Sequence, residues 1–170
     1  MSEAPTTPAV TPSVPAGTEA VRVQELGHIV LYVSNLERSV AFYNGVLGWP
    51  VRMRPNRFPA AGFRAGNTHH DLLLIEVGPD AAPLPAGRRL GMYHFGVKVG
   101  TSDDELRAMK ARLEANPGLG TLVGHSDHGM THSLYVHDPD GNEVELYIDV
   151  PGVDWDDPEI LATPTQPLDL

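Results

Sequence analysis

Two stretches of the chain carry the same succession of apolar and polar positions. Gly27-His28-Ile29-Val30-Leu31-Tyr32-Val33 is short, apolar and rich in β-branched residues, the pattern of a strand. Ser34-Asn35-Leu36-Glu37 follows, a capping-box spacing that opens a helix over 36–46. Leu36, Val40, Phe42, Tyr43, Val46 and Leu47 form its apolar side, and Gly45 and Gly48 mark its end. The pattern returns at Tyr93-His94-Phe95-Gly96-Val97-Lys98-Val99. There Ser102-Asp103-Asp104-Glu105 repeats the cap, and a helix over 103–115 carries Leu106, Met109 and Leu113 before Pro117-Gly118. Strand-like segments follow each helix, at 50–54, 62–66 and 71–77 in the first half and at 122–125, 131–137 and 143–150 in the second. Asp138-Pro139-Asp140-Gly141 is a turn, because proline presets the bend and glycine accepts positive φ.

Each half is therefore a β-α-β-β-β unit, about 25–78 and 91–150. The expected fold is α+β, with the two modules forming a half-open mixed β-barrel around a metal site. One domain spans 21–153. Residues 1–20, dominated by Pro, Thr, Ser and Ala, are expected to be a disordered tail, and 154–170, acidic and proline-rich, a surface extension.

The remaining composition narrows the function. The 170 residues hold 12 Lys and Arg against 22 Asp and Glu, a formal charge of -10, which argues against a nucleic-acid partner. No apolar run approaches the roughly 20 residues of a membrane span, and the mean hydropathy is -0.18. The start is a poor signal peptide, so a cytoplasmic location is expected. With no cysteine there are no disulfides, thiolate metal sites or cysteine nucleophiles. Eight histidines remain. Two of them, His28 and His94, open equivalent strands, and Glu145 lies in the last strand of the second half. Two neutral imidazoles and one carboxylate form the facial set that suits non-heme Fe(II). Mn(II) takes similar ligands. Such a set leaves three coordination positions, enough for the adjacent oxygens of a catecholate and for dioxygen.

The stretch from His128 through Leu134-Tyr135, Asp138-Pro139 and Gly141 to Glu145 resembles the signature of type I extradiol ring-cleavage dioxygenases. His69-His70, just before the apolar strand at 72–75, is similar to their His-His strand entry. Residues 25–150 resemble the vicinal oxygen chelate superfamily, which also contains glyoxalase I, fosfomycin-resistance thiol transferases and bleomycin-binding proteins. The resemblance implies His28, His94 and Glu145 as iron ligands and His70 as an acid/base beside dioxygen and the ring. It implies His128 and Tyr135 as hydrogen-bond donors to substrate oxygens. The implied partners are a small aromatic diol and O2, and a homodimer or higher oligomer is expected by analogy. Glyoxalase-type members use a fourth protein ligand from the last strand of the first half. Glu76 is the available carboxylate, but the matching position is Leu73 or Leu74, which favours the dioxygenase. A metal-dependent isomerase, lyase or thiol transferase, and a non-catalytic small-molecule binder, are the alternatives. His125, His132 and His137 are expected at the surface or behind the ligands. Arg52, Arg54, Arg57 and Arg64 are expected to be solvated, and Asp138 and Gly141 to serve the turn alone.

Overall fold

The computed structural model describes residues 12–18 and 20–170. Most of the expected tail therefore lies outside the described residues. The first half contains β1 (Ile29–Val33), α1 (Leu36–Val40), β2 (Val51–Met53), β3 (Ala60–Phe63) and β4 (Leu72–Glu76). The second contains β5 (His94–Gly100), α2 (Asp103–Glu114), β6 (Thr121–Asp127), β7 (Thr131–His137) and β8 (Glu143–Asp149). Helix α3 (Pro158–Leu161) and a two-residue strand β9 (Gln166–Pro167) complete the chain.

The halves build two mixed sheets of the same plan. One has the order β1-β4-β3-β2, the other β5-β8-β7-β6-β9. In each, the strand before the helix runs parallel to the last strand of its module, as β1 does to β4 and β5 to β8. The sheets do not close into a full barrel: among the described residues β1 and β5 are both terminal strands of their sheets. Among those residues no helix is long and apolar enough to cross a membrane.

One face of each sheet is covered by helix, and there the alternation predicted from sequence is fulfilled. Leu31, Val33, Leu72 and Leu74 from the first sheet and Leu134, Val136, Val144, Leu146 and Ile148 from the second join Phe42, Tyr43, Leu106 and Leu113 in one core. The predicted first helix runs as α1 and then widens into a π-helical turn at Ala41–Val46, which buries the neighbours Phe42 and Tyr43 together. Its cap differs from the predicted box: Asn35 accepts from Arg38 N. Ser34 instead bonds Asp140 of the second half through both its hydroxyl and its backbone N–H. The second cap is as expected, with Ser102 accepting from Glu105 N. The halves also meet where the Phe42 ring lies against Gly120; a Cβ at 120 would stand 2.5 Å from that ring, so only glycine fits.

The segment expected as a surface extension carries structure of its own. β9 pairs antiparallel with the end of β6, and Leu168 is buried in the core.

Candidate functional site

The faces turned away from the helices carry the polar chemistry. On the second sheet, Gly96 of β5 is paired with Glu145 of β8, and Glu145 with Tyr135 of β7. Alternation puts Glu143, Glu145, Tyr147, Ser133 and Tyr135 on one face. His94, at the start of β5, brings Nε2 to 3.3 Å from Glu145 Oε2. Its Nδ1 is 3.6 Å from Glu143 Oε1 and is buried without a hydrogen-bond partner. Glu145 Oε1 accepts from Ser133 Oγ at 2.7 Å and from Tyr135 Oη at 3.2 Å. His128 Nε2 lies 2.7 Å from the same Tyr135 hydroxyl. Burial, and then the Glu145 charge beside it, push the Tyr135 hydroxyl well above its ordinary range, so it keeps its proton and donates. Four of the six residues singled out from sequence, His94, His128, Tyr135 and Glu145, therefore form one connected group.

The other two lie on the first half. His28 Nδ1 or Nε2, with nitrogens of His69 and His70, forms a set whose ligand atoms all lie within 4.8 Å of one another. Among the described residues His28 does not join His94 and Glu145 in such a set. The physical reason is topological: His28 precedes β1 and His94 opens β5, the terminal strands of two different sheets, and no ladder holds those strands side by side. His69 Nδ1 and His70 Nδ1 are 2.6 Å apart, so they share one proton, and the His70 ring packs 4.5 Å from His28. His70 Nε2 is buried and unpartnered. Burial, then the neighbouring His69 and His28, depress the His70 pKa, so the ring is neutral at neutral pH. The loop that delivers this pair is closed by Asp71, which accepts from Ala65 N, Gly66 N and Thr68 Oγ1.

The remaining candidates fall where ordinary packing puts them. Glu76 accepts from Leu36 N at 2.7 Å and so caps α1. The register Val30↔Leu73 against Gly96↔Glu145 makes Leu73 the counterpart of Glu145. Arg54 pairs with exposed Glu37, His132 with Asp103, and His137 approaches Glu143. Asp138 does more than shape its turn: it is buried and accepts from the Tyr43 hydroxyl across the two halves. Glu143, Ser133 and Tyr93 were not singled out from sequence. Their signal is parity, since Glu143 and Ser133 lie two residues from Glu145 and Tyr135 on the same face. Two cavities lie near these residues. His28 lines one of about 500 Å³ with Gly96 and Lys98, and Tyr93, Glu143 and Arg88 line one of about 920 Å³.

An imidazole nitrogen facing a carboxylate oxygen, with further donors to that carboxylate behind it, is a donor set that fits a divalent first-row metal. This site and the paired βαβββ modules define the class. The chain belongs to the glyoxalase/bleomycin resistance protein/dioxygenase superfamily, whose family model matches residues 25–146. It is 36% identical over 133 residues to a catechol-2,3-dioxygenase of Bacillus subtilis (strain 168), covering 76% of this chain and 43% of that protein. It is 32% identical over 127 residues to a trivalent organoarsenical cleaving enzyme of Bacillus sp. (strain MD1), covering 71% of this chain and 70% of that one. A glyoxalase/bleomycin resistance protein/dioxygenase domain from Frankia sp. EAN1pec superposes with a TM-score of 0.60 at 19% identity, covering 75% of this chain and 99% of that one, which shows the shared fold. The chain thus spans under half the length of the first relative.

Proposed function

We propose that the chain is an Fe(II)-dependent extradiol dioxygenase that opens a catechol-type ring beside its two hydroxyls and places both atoms of O2 in the product. The observation that carries this reading is the linked group His94–Glu145–Tyr135–His128, in which His94 Nε2 and the Tyr135 hydroxyl face one carboxylate and His128 contacts that hydroxyl. Fe(II), bound by two imidazoles and a carboxylate, supplies a redox-active centre with positions for a chelating diol and for dioxygen. Mn(II) would be held by the same donors. The chain's own groups do the rest. His70, neutral and with Nε2 free, is suited to take a proton from the diol. The protonated Tyr135 hydroxyl and His128 are suited to turn their protons from Glu145 and Tyr135 to substrate oxygens when the diol binds. Leu73, where a glyoxalase-type site would need a fourth ligand, leaves a coordination position for dioxygen and keeps that wall apolar.

His28 completes the ligand set, in this reading, from a second copy of the chain. Among the described residues β1 and β5 end their sheets with unpaired edges, and the four strands of each module follow the same order, so each is shaped to be the neighbour of the other's counterpart. The first sheet's open face also exposes Val30 and Tyr32, the latter 70% accessible. The activity is tested by incubating iron-loaded protein aerobically with a panel of catechols. Oxygen uptake with growth of a yellow ring-opened product is expected; no uptake across the panel would sink the reading. Mixing His28→Ala and Glu145→Ala chains tests the shared site. Re-associated hybrids should recover about a quarter of wild-type activity, because half the dimers are hybrid and each holds one intact site of two. No recovery would place all three ligands within one chain.

A further inference from the structure

We propose that the C-terminal segment 163–168 is a working part of this site, and that Thr165 is a positioning residue that fixes the tautomer of His128. The segment lies beyond the residues matched by the family model, which end at 146. It is nevertheless tied down on both sides of His128. β9 pairs with Ser126 and Asp127, the two residues before it. Thr163 packs on Gly129, the residue after it, so closely that a Cβ at 129 would stand 3.1 Å from Thr163 Cγ2. Leu168 is buried in the core, and Lys110 Nζ donates to the Leu170 carbonyl at 2.8 Å. Between these anchors, Thr165 Oγ1 lies 3.2 Å from His128 Nδ1.

Counting protons gives the direction of the chain. The Tyr135 hydroxyl donates to Glu145 Oε1, so its one proton points there. The Tyr135 oxygen then accepts from His128, which requires the proton on Nε2. A neutral imidazole with Nε2–H has a bare Nδ1, and Thr165 Oγ–H is the donor beside it. Thr165 thus sets which ring nitrogen of His128 faces the site as a donor. Its relevance to ring cleavage rests on the function proposed above; the tautomer does not.

The test uses the full chain, metal-free, at a pH where His128 is neutral. Two-bond proton–nitrogen correlation spectra, with His128 assigned through His128→Gln, should show Nε2 protonated and Nδ1 bare in the wild type. Thr165→Val should shift this to a mixture of tautomers, and Thr165→Ser should restore it. A wild-type spectrum with Nδ1 protonated, or no change in the Val variant, overturns the proposal. With iron loaded, Thr165→Val should lower kcat about five-fold, the loss typical of one neutral hydrogen bond, with KM unchanged and Thr165→Ser near wild type. Equal losses in both variants would overturn it as well. Should Thr165→Val fail to fold, the wild-type and Ser spectra still decide. If no catechol is cleaved while the spectra behave as stated, the function falls and the positioning role stands.

Discussion

On the open face of the first sheet the positions after His28 are Val30 and Tyr32, with Leu73 and Ile75 beside them on β4. On the second sheet the equivalents after His94 are Gly96 and Lys98, with Glu145 and Tyr147 on β8. The backbone plan is the same, and the chemistry differs. One half supplies a hydrocarbon wall and imidazoles; the other supplies the carboxylate and hydroxyls. Gly96 shows how the polar half makes room, since a Cβ there would already stand 3.5 Å from Glu145 Oε2 and 3.3 Å from the Tyr147 ring. In the proposed site the duplicated scaffold would hold a metal asymmetrically, with one oxygen ligand rather than two, because position 73 carries leucine where 145 carries glutamate.

The comparison breaks most severely at Glu145. Glu145→Ala removes the carboxylate opposite His94 Nε2 and the acceptor for Ser133 and Tyr135. Loss of a direct ligand should exceed the roughly 10–100-fold cost of losing an outer-shell partner. Iron affinity is expected to fall by more than about 100-fold, and oxygen uptake with it. Elemental analysis after gel filtration checks the metal, and retention of stoichiometric iron would contradict the assignment. The converse change, Leu73→Glu, makes the halves alike. A fourth protein ligand leaves two positions, enough for a diol but not for dioxygen as well. Anaerobic catechol binding should persist in absorbance titrations while turnover drops by more than about ten-fold; undiminished turnover would mean that position 73 does not face the metal.

Much of this asymmetry was legible in the sequence, because a period of two on a one-sided sheet fixes which residues share a face. His94, Glu145, Tyr135 and His128 lie within one module, where the repeat pointed to His94 and Glu145 and the family resemblance added His128 and Tyr135. His28 depends on how two sheets stand relative to each other, which no local pattern encodes, and the chain instead places it beside His69 and His70. The role of the C-terminal segment was hidden for a related reason. A two-residue strand containing Pro167 has no periodicity to detect, and its partner at 126–127 is far off in sequence. The Ser34-x-x-Glu37 spacing misled because Ser34 found a better partner in Asp140, leaving Asn35 to cap.

The halves are also joined by a buried pair, and cutting it should have a smaller effect. Tyr43 Oη donates to Asp138 Oδ2 at 2.8 Å inside the shared core. Tyr43→Phe leaves the ring packing intact and deprives a buried carboxylate of a donor, at a cost of about 1–3 kcal/mol. Urea unfolding should show a lower midpoint with an unchanged slope. A change in slope would mean that the halves unfold separately once the link is gone.

The smallest expected effect compares the two carboxylates that close loops in the two halves. Burial raises the Asp138 pKa against the hydrogen bonds it accepts from Asn142 and Tyr43. Burial also works to raise Asp71, but the N–H groups of Gly66 and Ala65 with the Thr68 hydroxyl outweigh it, and its pKa is lowered. The signs therefore oppose. The folded state takes a proton on Asp138 before the unfolded chain does, so this group favours folding as pH falls through its raised value. Asp71 behaves conversely: its contribution is present above the unfolded value near 3.8 and is lost as pH falls through the depressed one. Because Asp71 is only partly screened from water, its share should be under about 1 kcal/mol. Asp71→Asn should lower stability at pH 6 and flatten the acid-side decline below about pH 4, read from urea midpoints across pH. An Asn variant whose decline parallels that of the wild type would show that the loop carrying His69 and His70 is held by something other than this charge.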